Sequence, residues 1–224
     1  MKPLSECRLY AFVDTTCLRG RVPEIVAQQL CDGGADIIQL RGKQSSVDEI
    51  RRMARAIIVV TRAAGVGLVI NDFPAIAREV GADYFHLGQE DFFGAQGSET
   101  GSDRRGCGTL PQLPGEDARA KPGIGLSTHS PEDAARALDA GADYLGVGPV
   151  YPTGTKPEAR PVTLEYVRWA AKNVKIPWFA IGGINLGNLD EVLKAGARRI
   201  CVVSAILNAK DVAGACREFK QRLG

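Results

Sequence analysis

Gly34-Ala35-Asp36 before Ile37-Ile38-Gln39-Leu40, Gly81-Ala82-Asp83 before Tyr84-Phe85-His86-Leu87, Gly141-Ala142-Asp143 before Tyr144-Leu145-Gly146-Val147, and Gly196-Ala197-Arg198 before Ile200-Cys201-Val202-Val203 are four copies of one pattern. A helix-like stretch precedes each copy, so each Gly reads as the left-handed residue that ends a helix. The apolar run that follows is short and rich in β-branched and aromatic residues, as a strand covered on both faces should be. The copies are 47, 60 and 55 residues apart, about two strand–helix units each. Four such pairs make eight strands. The repeat therefore predicts a closed (β/α)8 TIM barrel, an α/β fold, with the four copies on its even strands.

The odd strands have candidates as well. Arg8–Val13, Gly67–Ile70, Gly123–Leu126 and Ile176–Ile181 are apolar runs. Helical patterns over 46–65, 130–140, 187–194 and roughly 210–222 fall between strands or close the ring. An open doubly wound sheet would also alternate strand with helix, but it has no reason for an even-strand repeat. Residues 94–121 break the pattern. They are rich in Gly, Ser and charge, contain Pro111 and Pro114, and stand where the fourth helix is expected, with a short helix possible around Glu116–Arg119. They read as a flexible surface insertion in a single domain spanning 1–224, with a lid over the neighbouring site as the alternative.

Composition narrows the function classes. A net charge of +2 with both signs interspersed offers no basic face for nucleic acid. No apolar stretch reaches membrane-spanning length, and Met1 to Cys7 carry no signal-peptide core. Six cysteines (7, 17, 31, 107, 201 and 216) show no Cys-x-x-Cys spacing, so they read as small buried residues in a reducing cytoplasm. Oligomeric state is left open, a homo-oligomer included.

A barrel places its chemistry where strands end and the next loops begin. That rule selects Gln39, Arg41 and Lys43 after the second strand, and Asn71 and Asp72 after the third. Gln89, Glu90 and Asp91 follow the fourth strand, and Ser127, Thr128 and His129 the fifth. Tyr151-Pro152-Thr153-Gly154-Thr155-Lys156 follows the sixth, Gly182-Gly183 the seventh and Ser204 the eighth. Arg41, Lys43 and Lys156 are cations. Asp72 and Asp91 are carboxylates on neighbouring strands that could share a hard divalent ion, and magnesium favours such a pair plus phosphate oxygens. Together these suit a diphosphate. Gly182-Gly183 and Val203-Ser204 lie at the usual phosphate corner of a barrel, built from backbone N–H groups and a helix N-terminus. Two anion sites imply two phosphorylated small-molecule substrates. His129 reads as a hydrogen-bonding or capping residue rather than a base, and His86 suits the barrel interior equally well.

Taken together, Gln39-Leu40-Arg41-Gly42-Lys43, Asn71-Asp72, His86-Leu87-Gly88-Gln89-Glu90-Asp91, Gly125-Leu126-Ser127-Thr128-His129 and Gly148–Lys156 resemble the thiamine-phosphate synthase family. So does Ile181-Gly182-Gly183-Ile184 followed by Val203-Ser204-Ala205-Ile206; the likeness runs from about residue 8 to 207. The resemblance implies a magnesium-dependent transferase. It would join a hydroxymethylpyrimidine diphosphate to a thiazole phosphate and release pyrophosphate, by departure of pyrophosphate before attack by the thiazole nitrogen. It further implies that Gln39, Leu40, Arg41, Gly42, Lys43, Asn71, Ser127 and Lys156 hold the pyrimidine diphosphate, with Lys43, Ser127 and Lys156 closest to the chemical step. Thr153, Gly154, Thr155, Gly183, Val203 and Ser204 would take the thiazole phosphate, and Asp72 and Asp91 the Mg²⁺. Two features depart from the pattern: Gly42 stands where the family commonly has Glu, and the polar stretch at 92–121 is long. Thiazole tautomerases share the barrel and its phosphate corner but generally lack the set Lys43, Asp72, Asp91 and Lys156. A non-catalytic phosphate-binding barrel would need no such set.

Overall fold

All four repeat glycines are left-handed, with φ of 85° at Gly34, 68° at Gly81, 79° at Gly141 and 102° at Gly196. Each opens the same helix-ending motif. The glycine N–H donates to the carbonyl three residues back, and the following Ala N–H reaches five back, as in Ala35 to Leu30, Ala82 to Ala77, Ala142 to Ala137 and Ala197 to Val192. The Asp that follows then stitches its strand to the one before. The Asp36 N–H donates to the Leu9 carbonyl, while its Oδ2 accepts the Leu9 N–H at 2.9 Å. Asp83 does the same with Leu68, and Asp143 with Ile124. The fourth copy carries Arg198 and has no carboxylate to offer. The repeat is thus a helix stop joined to a strand clasp.

The computed structural model describes residues 1–94, 121–154 and 160–224. Its strands are β1 Leu9–Asp14, β2 Ile37–Arg41, β3 Gly67–Asn71, β4 Tyr84–Leu87, β5 Gly123–Thr128, β6 Tyr144–Val147, β7 Trp178–Ile181 and β8 Ile200–Cys201. All pair in parallel, in the order β1 to β8, and β8 returns to β1 to close the barrel. The expected TIM barrel is the observed fold. Around it run α1 Pro23–Asp32, α2 Val47–Ala63, α3 Pro74–Val80, α4 Gln89–Phe93, α5 Pro131–Asp139, α6 Thr163–Asn173, α7 Leu189–Lys194, α8 Ser204–Leu207 and α9 Val212–Leu223. In α2, Ser46 and Glu49 form a capping box, and Ile50, Ala54, Ile57, Ile58 and Thr61 bury one face against the sheet.

One expectation shifts. The sequence pattern puts residues 89–91 in a loop, with the fourth helix later in the chain. Instead α4 begins at Gln89, directly after β4, with Gly88 as its N-cap and Glu90 and Asp91 in its first turn, where carboxylates favour the helix dipole. The insertion, its short helix at Glu116–Arg119 and Cys107 lie almost wholly or entirely outside the described residues.

Rings fill the barrel. Tyr10, Tyr144 and Phe179 meet edge to face at centroid distances of 5.2 to 6.0 Å, and Tyr84 packs on Tyr144 at 5.7 Å. The two inward glycines of β5 make room for them: a Cβ on Gly125 would lie 2.1 Å from Tyr144 Cζ, and one on Gly123 2.5 Å from the Tyr84 ring. Cys7, Cys201 and Cys216 are buried and Cys17 and Cys31 partly so, all as free thiols. Burial pushes the Cys7 and Cys31 thiols up to about 11 and Cys216 to about 12, so these are packing residues rather than nucleophiles. No helix among the described residues is long and apolar enough to cross a membrane.

Candidate active site at the C-terminal rim

Strand alternation decides which side chains reach the barrel mouth. On β2, Gln39 and Arg41 share the inward face, while Leu40 is 1 % exposed and packs outward in the core, leaving only its backbone for a ligand. The Gln39 amide donates to Tyr10 Oη at 2.6 Å. Tyr10 Oη is bonded to Tyr144 Oη at 2.9 Å, Tyr144 Oη to His86 Nδ1 at 3.1 Å, and His86 Nε2 to Ser127 Oγ at 2.9 Å. One continuous chain of hydrogen bonds therefore crosses the barrel from Gln39 to Ser127. Burial pushes the Tyr10 and Tyr144 hydroxyls well above the ordinary phenol range, so both stay neutral. The chain includes two tyrosines that strand patterning alone reads as filler. It also settles His86 in the interior.

Arg41 and Lys43 are not free charges. Arg41 Nη1 lies 2.6 Å from Oδ2 of Asp14, the fully buried last residue of β1 and a residue that sequence reading passed over. Lys43 Nζ lies 2.6 Å from Asp72 Oδ2, so one expected diphosphate ligand and one expected metal ligand are partners of each other. Asp72 follows Asn71 at the end of β3 with a left-handed φ of 64°, a conformation that Asp tolerates better than most residues and that often marks a functional turn. Its N–H donates to the His86 carbonyl at 3.0 Å, which ties it to β4. Asp91 folds its carboxylate back toward the end of the same strand, with Oδ2 3.1 Å from where a Gly88 Cβ would stand. Gln89 donates to the Ser127 carbonyl at 2.7 Å, and its Oε1 is buried with no hydrogen-bond partner.

Thr128 is buried, donates to the Gly146 carbonyl and accepts from Tyr166 Oη at 2.8 Å, which makes it a structural link. His129 is a hydrogen-bonding residue beside the Ser130 cap of α5: its N–H donates to Asp133 Oδ2 at 3.0 Å and its Nδ1–H to the Gly148 carbonyl. Gly42 is buried, and a Cβ there would lie 2.4 Å from Ile50 Cδ1, so the missing Glu is matched by close packing of the loop on α2. Gly182 and Gly183 are both left-handed, at φ of 102° and 66°, and a Cβ on either would strike backbone of the β6 loop, at Pro149 Cα and Pro152 O. Asn188 Nδ2 holds the Gly183 carbonyl at 3.0 Å. Val203 and Ser204 follow β8, with Ser204 exposed at the start of α8. Thr153 and Gly154 are in the β6 loop; Thr155 and Lys156 lie outside the described residues.

Comparison with known proteins gives the family. The sequence model of a family described as thiamine monophosphate synthase covers residues 9–104 and 110–206. The chain belongs to that family. A thiamine-phosphate synthase of Thermus thermophilus is 45% identical over 193 residues, which are 85% of this chain and 84% of that protein. One of Acidothermus cellulolyticus is 41% identical over 222 residues, covering 98% and 96% of the two chains. Among solved structures, a thiamine phosphate pyrophosphorylase from Pyrococcus furiosus superposes with a TM-score of 0.80 at 32% identity, over 98% of this chain and 96% of that one. An orotidine 5'-phosphate decarboxylase from Pyrococcus horikoshii, 16% identical with a TM-score of 0.60, shares the fold alone. The rim of this chain holds Arg41 and Lys43, each paired to a carboxylate, and a corner built on Gly182 and Gly183.

Proposed function

We propose that the chain condenses 4-amino-2-methyl-5-(diphosphooxymethyl)pyrimidine with a thiazole phosphate, giving thiamine phosphate and pyrophosphate. The observation that carries the site assignment is the convergence of Arg41, Lys43 and Asp72 at the ends of two neighbouring strands, beside the hydrogen-bonded chain from Gln39 to Ser127. Departure of pyrophosphate leaves charge on its oxygens, and cations held in place before the event stabilise it without reorganising. Arg41, Lys43 and, by family likeness, Lys156 take that role, with Gln39, Asn71 and Ser127 orienting the pyrimidine diphosphate. Gly183, Val203 and Ser204, with Thr153 to Thr155, receive the thiazole phosphate and aim its nitrogen at the reacting carbon. No step requires a nucleophilic side chain; the protein supplies orientation and a fixed field.

Magnesium fits this donor set. A divalent ion would take Asp91 and the Asp72 oxygen that Lys43 does not hold, and complete its shell with water and phosphate oxygens, as hard small cations prefer. When bound it would neutralise charge on the leaving group. We place the reaction in the cytoplasm, where free thiols such as Cys17 and Cys31 persist. Calorimetric titration with the pyrimidine diphosphate tests the site. Binding should need magnesium, and Arg41→Ala or Lys43→Ala should weaken it about tenfold or more. Unchanged affinity in both variants contradicts the assignment.

A further inference from the structure

The mechanism above gives no task to the most deeply buried carboxylate at the barrel mouth. Asp14 ends β1 in register with Arg41 at the end of β2, and both side chains turn inward. Asp14 has no exposed surface. Its two oxygens have separate partners: Oδ1 accepts the Thr16 N–H at 3.0 Å and the Thr16 hydroxyl at 2.6 Å, and Oδ2 accepts Arg41 Nη1–H at 2.6 Å. The turn Thr15–Cys17 that carries Thr16 is itself fastened. Arg21 donates to the Cys17 carbonyl at 2.8 Å, the Leu18 carbonyl at 2.9 Å and the Leu207 carbonyl at the end of α8 at 2.7 Å. A line of support runs from α8 through Arg21 and the β1 loop to Asp14 and then to Arg41. A guanidinium is planar with five N–H donors, so a carboxylate on one of them fixes the plane and leaves the rest to meet a phosphate. The Asp14 bond is the side-chain hydrogen bond that Arg41 makes among the described residues, and the Arg41 side chain remains 12% exposed at the mouth.

We propose that Asp14 is a positioning residue for the diphosphate substrate, holding the Arg41 guanidinium plane so that its unused N–H groups face the departing diphosphate. The inference rests on the reading that Arg41 binds that group. Orienting the cation in advance removes an ordering cost from binding and keeps its geometry through the transition state. A residue needed only to fill the space would not require a charge, nor a second bond from Thr16 to hold that charge still.

Asp14→Asn keeps the shape and an oxygen for Thr16 but turns the Arg41-facing atom from acceptor to donor. Its KM for the pyrimidine diphosphate should rise about tenfold or more, while KM for the thiazole phosphate stays within about twofold. Arg41→Ala should raise the diphosphate KM at least as much, and adding Asp14→Asn to it should cost less than about twofold more, because the two act through one contact. An unchanged diphosphate KM in Asp14→Asn, an equal defect toward both substrates, or additive effects in the double variant would each overturn the proposal. If Arg41→Ala alone leaves the diphosphate KM unchanged, the site reading falls together with the proposal; if Arg41→Ala is impaired and Asp14→Asn is not, only the proposal falls. Should Asp14→Asn fail to fold, Thr16→Val removes the hydroxyl bond and keeps the ion pair. A smaller rise confined to the diphosphate KM supports the proposal, and no rise overturns it.

Discussion

Asp72 shows how much one residue can hold together. Its left-handed backbone turns the chain at the end of β3, its N–H reaches β4, and its carboxylate faces Lys43. One oxygen is engaged by the lysine, which leaves the other for a cation. Substitution must therefore spare the backbone, and Asn tolerates the left-handed region where Ala is strained. Asp72→Asn and Asp91→Asn should each lower turnover by roughly 10²-fold or more, equivalent to about 3 kcal/mol of lost leaving-group stabilisation, with little change in melting temperature. Near-normal steady-state turnover at saturating magnesium would remove these carboxylates from the metal site. Tyr144→Phe cuts the chain between Tyr10 and His86 and removes the Tyr144 hydroxyl from His86 Nδ1. It should destabilise the protein by about 1–3 kcal/mol in urea unfolding, and a loss near zero would show the chain to be dispensable.

Elements explain what could be read from the sequence and what could not. The even strands could be placed because each apolar run follows a helix stop built on a left-handed glycine, and the odd strands are the apolar runs that fall between them. The rim residues followed, since strand ends are fixed once strands are. Partners across the barrel could not be read. Asp14 meets Arg41 across 27 residues and Tyr10 meets Tyr144 across 134, and only ring closure and strand register decide such meetings. Asp14, next to two threonines, looks like a simple turn former, and α4 is too short for a helical period to show. The glycines of β5 were equally opaque, because what they accommodate is carried by β4 and β6. Gly125→Ala should cost about 1–3 kcal/mol by overpacking against Tyr144, a fall of about 2–4 °C in Tm per kcal/mol. Gly94→Ala, with nothing within 4 Å of its Cβ position, should be close to neutral. Equal melting temperatures for the two variants would contradict the packing described for the interior.

Across the whole molecule the two ends of the barrel divide the work. The C-terminal rim gathers the chemistry, and the N-terminal end carries the clasps. Asp36 is the most heavily bonded clasp, with Lys2 at 2.5 Å and Lys220 at 2.6 Å. Burial alone would raise its pKa, but the Lys2 and Lys220 ammonium groups and the Leu9 and Arg8 N–H groups outweigh that and hold it below its usual 3.8. A carboxylate depressed in the folded state contributes its full stability above the unfolded value and loses it as pH falls through the folded one. Unfolding midpoints in urea should therefore drop as pH is lowered below about 3.8, and Asp36→Asn should flatten that limb while lowering stability at neutral pH. An unaltered acid limb in the variant would assign the pH dependence to other groups.

Purified protein given the pyrimidine diphosphate, the thiazole phosphate and magnesium should form thiamine phosphate and pyrophosphate in equal amounts, and omission of any one of the three should stop both products. Neither product across a broad range of pH, magnesium and substrate concentration, from protein shown to be folded, would contradict the account at its centre.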